Sequence, residues 1–188
     1  MKVITLESYE DTLNNLALRR DPARQALFDA LPAAHEDYLV SYLLDLDTQD
    51  SPSLLDLRGL ERPFDYTLNI TQGGETARRA VDLVETFNYL LGLRVERVLA
   101  EDGLRTVEGT DPSGARVLVI WRTLPDCDDA ALETFFLARR ARTDDAAYEH
   151  IYVNGDNTLA RHRREGDRWE VLPIEEEFAR RMFDTTEV

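Results

Sequence analysis

The chain reads as α+β: an N-terminal helical layer followed by a mixed, largely antiparallel β-sheet with flanking helices. Three observations predict this. Apolar residues recur at helical spacing through the first fifty residues. Short alternating or all-apolar runs, punctuated by glycine turns, then dominate residues 64–122. Helical spacing returns twice after that, around further short apolar runs. With 188 residues, 43% of them hydrophobic and 31% charged, the chain can bury a core without disulfides or metal staples.

In chain order, Leu6, Tyr9, Leu13 and Leu16 predict a helix over residues 6–19. Asp21 as N-cap and Pro22 at the first helical position predict a second over 21–31, which Pro32 ends. Leu39, Val40, Leu43, Leu44 and Leu46 predict a third over 35–47. Residues 1–50 thus form a helical segment and 51–188 an α+β domain, expected to pack as one unit. Strict alternation makes 64–70 a strand, and Gly73-Gly74 breaks it. A long helix is expected over 76–91, on a broad stripe of Ala80, Val81, Leu83, Val84, Phe87, Leu90 and Leu91, with Gly92 as its C-cap.

Three strands follow. Residues 94–100 and 104–110 flank Glu101-Asp102-Gly103, a hairpin signal. Residues 115–122 are nearly all apolar, which suits a central strand buried on both faces. A helix is expected over 126–140, capped by Asp126 or Asp128, then a strand at 148–153 and a turn at Asn154-Gly155-Asp156-Asn157. A short strand at 169–172 and a helix at 173–183 complete the chain.

Composition excludes several functions. The net charge of −15 argues against an autonomous DNA grip, because phosphate neutralisation supplies most of that affinity. Lys2 is the single lysine, so the interior offers no Schiff-base former and no P-loop phosphate ligand. Cys127 is the single cysteine, which rules out an internal disulfide. His35, His150 and His162 sit in separate segments. No apolar run approaches the ~20 residues of a membrane span, and the N-terminus lacks the order of a secretion signal, so a cytoplasmic location is expected.

Few constellations carry chemistry. Asp102, Glu108 and Asp111 surround one hairpin, as a metal-dependent nuclease would need. The lysine of such a site is missing, and Val117-Leu118-Val119-Ile120-Trp121 supplies no acid. Asp82, Glu85 and Asn88 share one polar edge of the expected 76–91 helix, a candidate polar site or a solvated stripe. Arg139, Arg140 and Arg142, with Arg161, Arg163, Arg164 and Arg168, are the dense basic clusters and the candidate contacts to DNA or to an acidic partner. No catalytic, cofactor-binding or metal residue is assigned.

Five stretches share one resemblance. Residues 2–16, from Lys2-Val3-Ile4-Thr5-Leu6 to Leu16, come first. Val81-Asp82-Leu83-Val84-Glu85-Thr86-Phe87-Asn88-Tyr89-Leu90-Leu91-Gly92-Leu93 comes next. Arg116-Val117-Leu118-Val119-Ile120-Trp121-Arg122, Ile151-Tyr152-Val153-Asn154-Gly155-Asp156-Asn157 and Ile174-Glu175-Glu176-Glu177-Phe178 complete the series. In this order they resemble the C-terminal region of bacterial adenine-specific DNA methyltransferases, large proteins similar to the modification subunit of type III restriction systems. That family's [DN]-P-P-[YFW] tetrapeptide and F-x-G-x-G loop for S-adenosylmethionine are absent. Asp21-Pro22-Ala23-Arg24 only begins like the first.

The resemblance therefore implies a non-catalytic accessory part, with S-adenosylmethionine belonging to the parent enzyme and no cofactor to this chain. Its implied partners are the rest of the methyltransferase, a nuclease-helicase restriction subunit or a second copy, with DNA touched weakly or in context. The alternative is a free-standing acidic binding module, such as an anti-restriction DNA mimic, although arginines interrupt the acids throughout.

Overall fold

A computed structural model describes residues 60–72, 75–101, 103–140 and 148–183. The expected helices of residues 1–50, together with His35, Gly73-Gly74, Asp102 and Arg142, lie outside the described residues. Strands β1 (Thr67–Gln72) and β2 (Glu75–Ala80) pair antiparallel, with Gln72 opposite Glu75. Helix α1 (Leu83–Leu91) leads into β3 (Arg94–Glu101), β4 (Leu104–Thr110) and β5 (Arg116–Arg122). Helix α2 (Asp129–Arg140), β6 (His150–Val153), a 3₁₀ turn at Leu159–His162, β7 (Glu170–Pro173) and α3 (Ile174–Phe183) follow.

The main sheet has the order β3-β4-β5-β6-β7. The first three strands form an antiparallel meander, and β6 and β7 add in parallel. A parallel neighbour needs a crossover, and α2 lies on the connection from β5 to β6. The α+β class is as expected, with a larger parallel share than the sequence suggested.

One element differs. The helix expected from residue 76 begins at Leu83, because residues 75–80 pair along β1 instead, where Arg78 Nε donates to Thr67 Oγ1 at 2.7 Å. The Gly-Gly doublet that reads as a break before a helix is equally a two-residue hairpin signal. Asp82 starts the helix: its backbone is extended and its side chain accepts the Glu85 N–H at 3.2 Å. Gly92 ends it in the left-handed region (φ 63°), where the Leu93 N–H donates to the Asn88 carbonyl at 2.9 Å. Asp128, not Asp126, caps α2 by accepting the Ala131 N–H at 2.9 Å.

The sheet separates two cores. Val107, Val117, Val119, Trp121 and Tyr152 point to α1 and α3, meeting Leu83, Phe87, Ile174 and Phe178. Leu118, Ile120, Ile151 and Val153 point the other way, to Leu132 and Phe136 of α2 and to Trp169. β5 thus buries both faces, which is why its sequence is uninterrupted Val-Leu-Val-Ile-Trp. Phe87 is the hub of the first core. Its ring stacks on Phe178 at 5.6 Å and meets Trp121 and Tyr152 edge-on at 5.8 and 5.5 Å. β3 is irregular between Val95 and Arg97, where the register slips by one residue. Gly109 lies opposite Val95 there, and a Cβ on it would stand 2.4 Å from the Arg94 carbonyl oxygen.

Candidate functional site

Three polar clusters organise the described residues. The first lies under α2. Glu108 of β4 sits opposite Leu118, so it faces the α2 side of the sheet, where a carboxylate is costly without partners. Arg139 from the last turn of α2 donates to Glu108 Oε1 and, at 3.1 Å, to the Tyr148 hydroxyl. The same hydroxyl donates to Glu108 Oε2 at 2.8 Å. All three side chains are buried. Burial pushes the Glu108 carboxyl up, but the hydrogen bonds from Arg139 and Tyr148 outweigh it and hold the carboxyl below its ordinary value. Burial would lower the Arg139 guanidinium, and the same bonds raise it instead. Burial raises the Tyr148 phenol, which stays a donor. The result is a neutralised ion pair with a phenol as its third member.

The second cluster closes the C-terminal ends of β5 and β6, where the parallel strands finish. Asn154 is fully buried: its Oδ1 accepts the Arg122 N–H at 2.8 Å, and its Nδ2 donates to the carbonyls of Arg122 and Leu60 at 2.8 and 2.9 Å. The Arg122 guanidinium donates to the carbonyls of Asn154, Cys127 and Asp156 and pairs with Asp129 at 2.8 Å. Glu175 at the start of α3 accepts the Gly155 N–H at 2.6 Å. The Asn-Gly-Asp-Asn turn is therefore tied to β5, to Leu60 and to the start of α3. In open α/β sheets this end of the strands is where ligands bind. Here the chain's own carbonyls and carboxylates occupy the donors of Arg122.

The third cluster holds the basic candidates. Arg140 pairs with Asp167 at 2.5 Å, donates to the His162 carbonyl at 2.5 Å, and lies over the Trp169 ring. Asp167 also accepts the Arg164 N–H at 2.6 Å, and that backbone bond, with Arg140, holds its carboxyl below the ordinary value. The Arg163 guanidinium donates to the Asp167 carbonyl at 3.1 and 3.2 Å. Arg161 in the 3₁₀ turn and Arg163, Arg164 and Arg168 between that turn and β7 are exposed. Of the seven arginines expected to reach a partner, Arg139 is consumed by Glu108 and Arg140 by Asp167, and Arg142 lies outside the described residues.

The other expected groupings resolve as local structure. Asp82 is the cap of α1, and Glu85 accepts from Asn88 Nδ2 at 3.4 Å, while the buried Asn88 Oδ1 meets no hydrogen-bond donor among the described residues. Asp111 accepts from the Ser113 and Ala115 N–H groups at 2.9 Å each and from the Ser113 hydroxyl at 2.6 Å. Burial pushes the Asp111 carboxyl up, but these bonds hold it below its ordinary value. It is the keystone of the β4–β5 turn. Glu108 and Asp111 therefore do not converge. Among the described residues no group of three or more His, Cys, Asp or Glu side chains could hold a metal. His150 lies 3.1 Å from Glu170 and His162 lies 3.5 Å from Glu133, in different parts of the fold. No helix of the described residues is long and apolar enough to cross a membrane.

Sequence reading did not anticipate the Glu108–Arg139–Tyr148 triad or the Asn154 hub. A signal for the first is Glu108 itself, a lone acid between Val107 and Gly109 inside a strand. Its partners lie 31 and 40 residues away, beyond any local spacing rule. No family model, no curated protein and no solved structure matches the chain.

Proposed function

We propose that the chain is a non-catalytic accessory module of a site-specific adenine DNA methyltransferase, acting in subunit assembly and, in that context, in DNA positioning. The reading starts from the five stretches that resemble the C-terminal region of such enzymes. One structural observation supports it: the buried arginines that a catalytic or phosphate-binding reading would use, Arg122 and Arg139, are held by the chain's own carbonyls and carboxylates. The net charge of −15 favours protein contacts over DNA contacts. Arg161, Arg163, Arg164 and Arg168 are the exposed groups through which DNA positioning would act. A cytoplasmic location belongs to the same reading.

The test joins genome and solution. DNA flanking the coding segment is expected to encode a portion with [DN]-P-P-[YFW] and F-x-G-x-G motifs that co-purifies with this chain on co-expression. A locus with neither motif overturns the reading. Titrating the isolated chain with S-adenosylmethionine in a calorimeter is expected to give no binding heat. A saturable micromolar signal would place a cofactor site here and sink the accessory role.

A further inference from the structure

The strand β3 is the longest of the main sheet and lies at its edge, with β4 on one side and, among the described residues, no strand on the other. Such an edge presents unpaired N–H and C=O groups to any strand that fits. Its side chains are open to solvent over nearly its whole length, and Val95 and Val98 are among the exposed large apolar residues.

Charges on an edge strand ordinarily repel a pairing strand. Here they are arranged differently. The irregularity between Val95 and Arg97 leaves 97–101 as the regular part of the strand, with the sequence Arg97-Val98-Leu99-Ala100-Glu101. This run is self-complementary about its middle residue. If a second copy pairs antiparallel with the two-fold axis at Leu99, Leu99 meets Leu99, Val98 meets Ala100, and Arg97 meets Glu101 twice. Residues directly opposite one another share a face of the sheet. Arg97, Leu99 and Glu101 lie on the α2 side, because Leu99 stands opposite Thr106 and Thr106 opposite Ile120. Val98 and Ala100 lie on the α1 side, because Val98 stands opposite Val107. On the α2 face the register therefore sets Leu99 against Leu99 and cation against anion, and on the α1 face it sets apolar against apolar.

We infer that β3 is a homodimerisation edge: two copies of this chain join through antiparallel pairing of residues 97–101 about Leu99, continuing two five-stranded sheets into one. The occupant is a second copy because the charge pattern inverts about Leu99, so an identical strand meets two ion pairs. A two-fold interface of this kind closes on itself and stops at the dimer. The β3 irregularity limits it, since the slip at Val95–Arg97 breaks the ladder beyond Arg97. The inference gives the subunit assembly of the proposed function one partner and one place, while its argument rests on the position and charge pattern of β3 alone, so that its failure leaves the genome and co-purification test untouched.

Sedimentation equilibrium of the full chain tests it, since the dimer has twice the 21.5 kDa chain mass. The parent is expected to dimerise reversibly. Leu99→Lys sets two ammonium groups across the axis, and Arg97→Glu replaces both attractive pairs by repulsive ones. Each is expected to weaken dimerisation by about tenfold or more. The double variant Arg97→Glu/Glu101→Arg restores the pairs with signs exchanged and is expected to recover most of the affinity. That recovery separates pairing from damage to the fold, which circular dichroism checks for each variant. A parent that stays monomeric at about 100 μM, where even weak specific pairing registers, overturns the inference. So does a dimer indifferent to both Leu99→Lys and Arg97→Glu, or a double variant no better than Arg97→Glu.

Discussion

Arg139→Met removes the cation that neutralises Glu108 beneath α2. Glu108 is 7% exposed and Arg139 8%, so the carboxylate left behind cannot recover its partner from water. Tyr148 still donates one hydrogen bond to it, but a neutral phenol does not replace a charge. Breaking a buried pair from one side costs about 3–5 kcal/mol. For a chain of this length each kcal/mol is worth roughly 2–4 °C, so the midpoint should fall by about 6–20 °C. Replacing the whole triad (Arg139→Met, Glu108→Leu and Tyr148→Phe) removes the charge and both hydrogen-bonding partners together. That variant should return to within about 1–2 kcal/mol of the parent, because well-packed apolar side chains substitute for a buried ion pair at little cost. Urea unfolding measures both, with m about 1–3 kcal/mol/M as the check on cooperativity. Two results would refute the reasoning. A loss under about 1 kcal/mol for Arg139→Met would mean the pair is hydrated. A triple variant as unstable as the single one would mean that packing, not an orphaned charge, set the cost.

Phe87→Ala should cost about 3–5 kcal/mol, since the ring is fully buried against Trp121, Tyr152 and Phe178; a melting midpoint within a degree or two of the parent would place Phe87 outside the core. Acid should destabilise the fold. Glu108 and Asp111 carry folded values below their ordinary ones, so their contribution is complete above the unfolded carboxylate range and is lost as pH falls through the folded values. Urea midpoints taken from about pH 6 to pH 3 should fall, and a Glu108→Leu/Arg139→Met/Tyr148→Phe background should fall less steeply. The isolated chain should bind duplex DNA weakly at about 50 mM salt and not measurably at about 200 mM in a gel-shift series; binding that persists at the higher salt would make this a DNA-reading domain in its own right.

Much of the fold was legible because it rests on local periodicity and local caps. The β3–β4–β5 meander followed from alternating or continuous apolar runs divided by glycine turns, and α2, β6, β7 and α3 followed in order. Gly92 and Asp128 end or begin their helices for reasons that lie within a few residues of each. The break at residues 75–82 was not legible. Arg78 and Arg79 suit a helix as well as an exposed strand, and pairing with β1 decided between them.

The sequence by itself determined the class of the fold, the double-sided burial of β5, the place of Phe87 on an apolar helical stripe and the acidic balance that disfavours a free-standing DNA grip. These depend on composition and on spacing within single elements. Only the tertiary structure decided what the charged residues do. It spent Arg139 on Glu108, Arg140 on Asp167 and Arg122 on the carbonyls around Asn154, and it left Arg161, Arg163, Arg164 and Arg168 facing solvent. It also put β3 at the edge of the sheet, where its inverted charge pattern meets no strand of the described residues. A guanidinium reads the same in sequence whether it is buried or exposed. Its role is set by which carboxylates and carbonyls the fold carries to it from 5 to 34 residues away, because desolvation makes an unpaired buried charge too costly to keep.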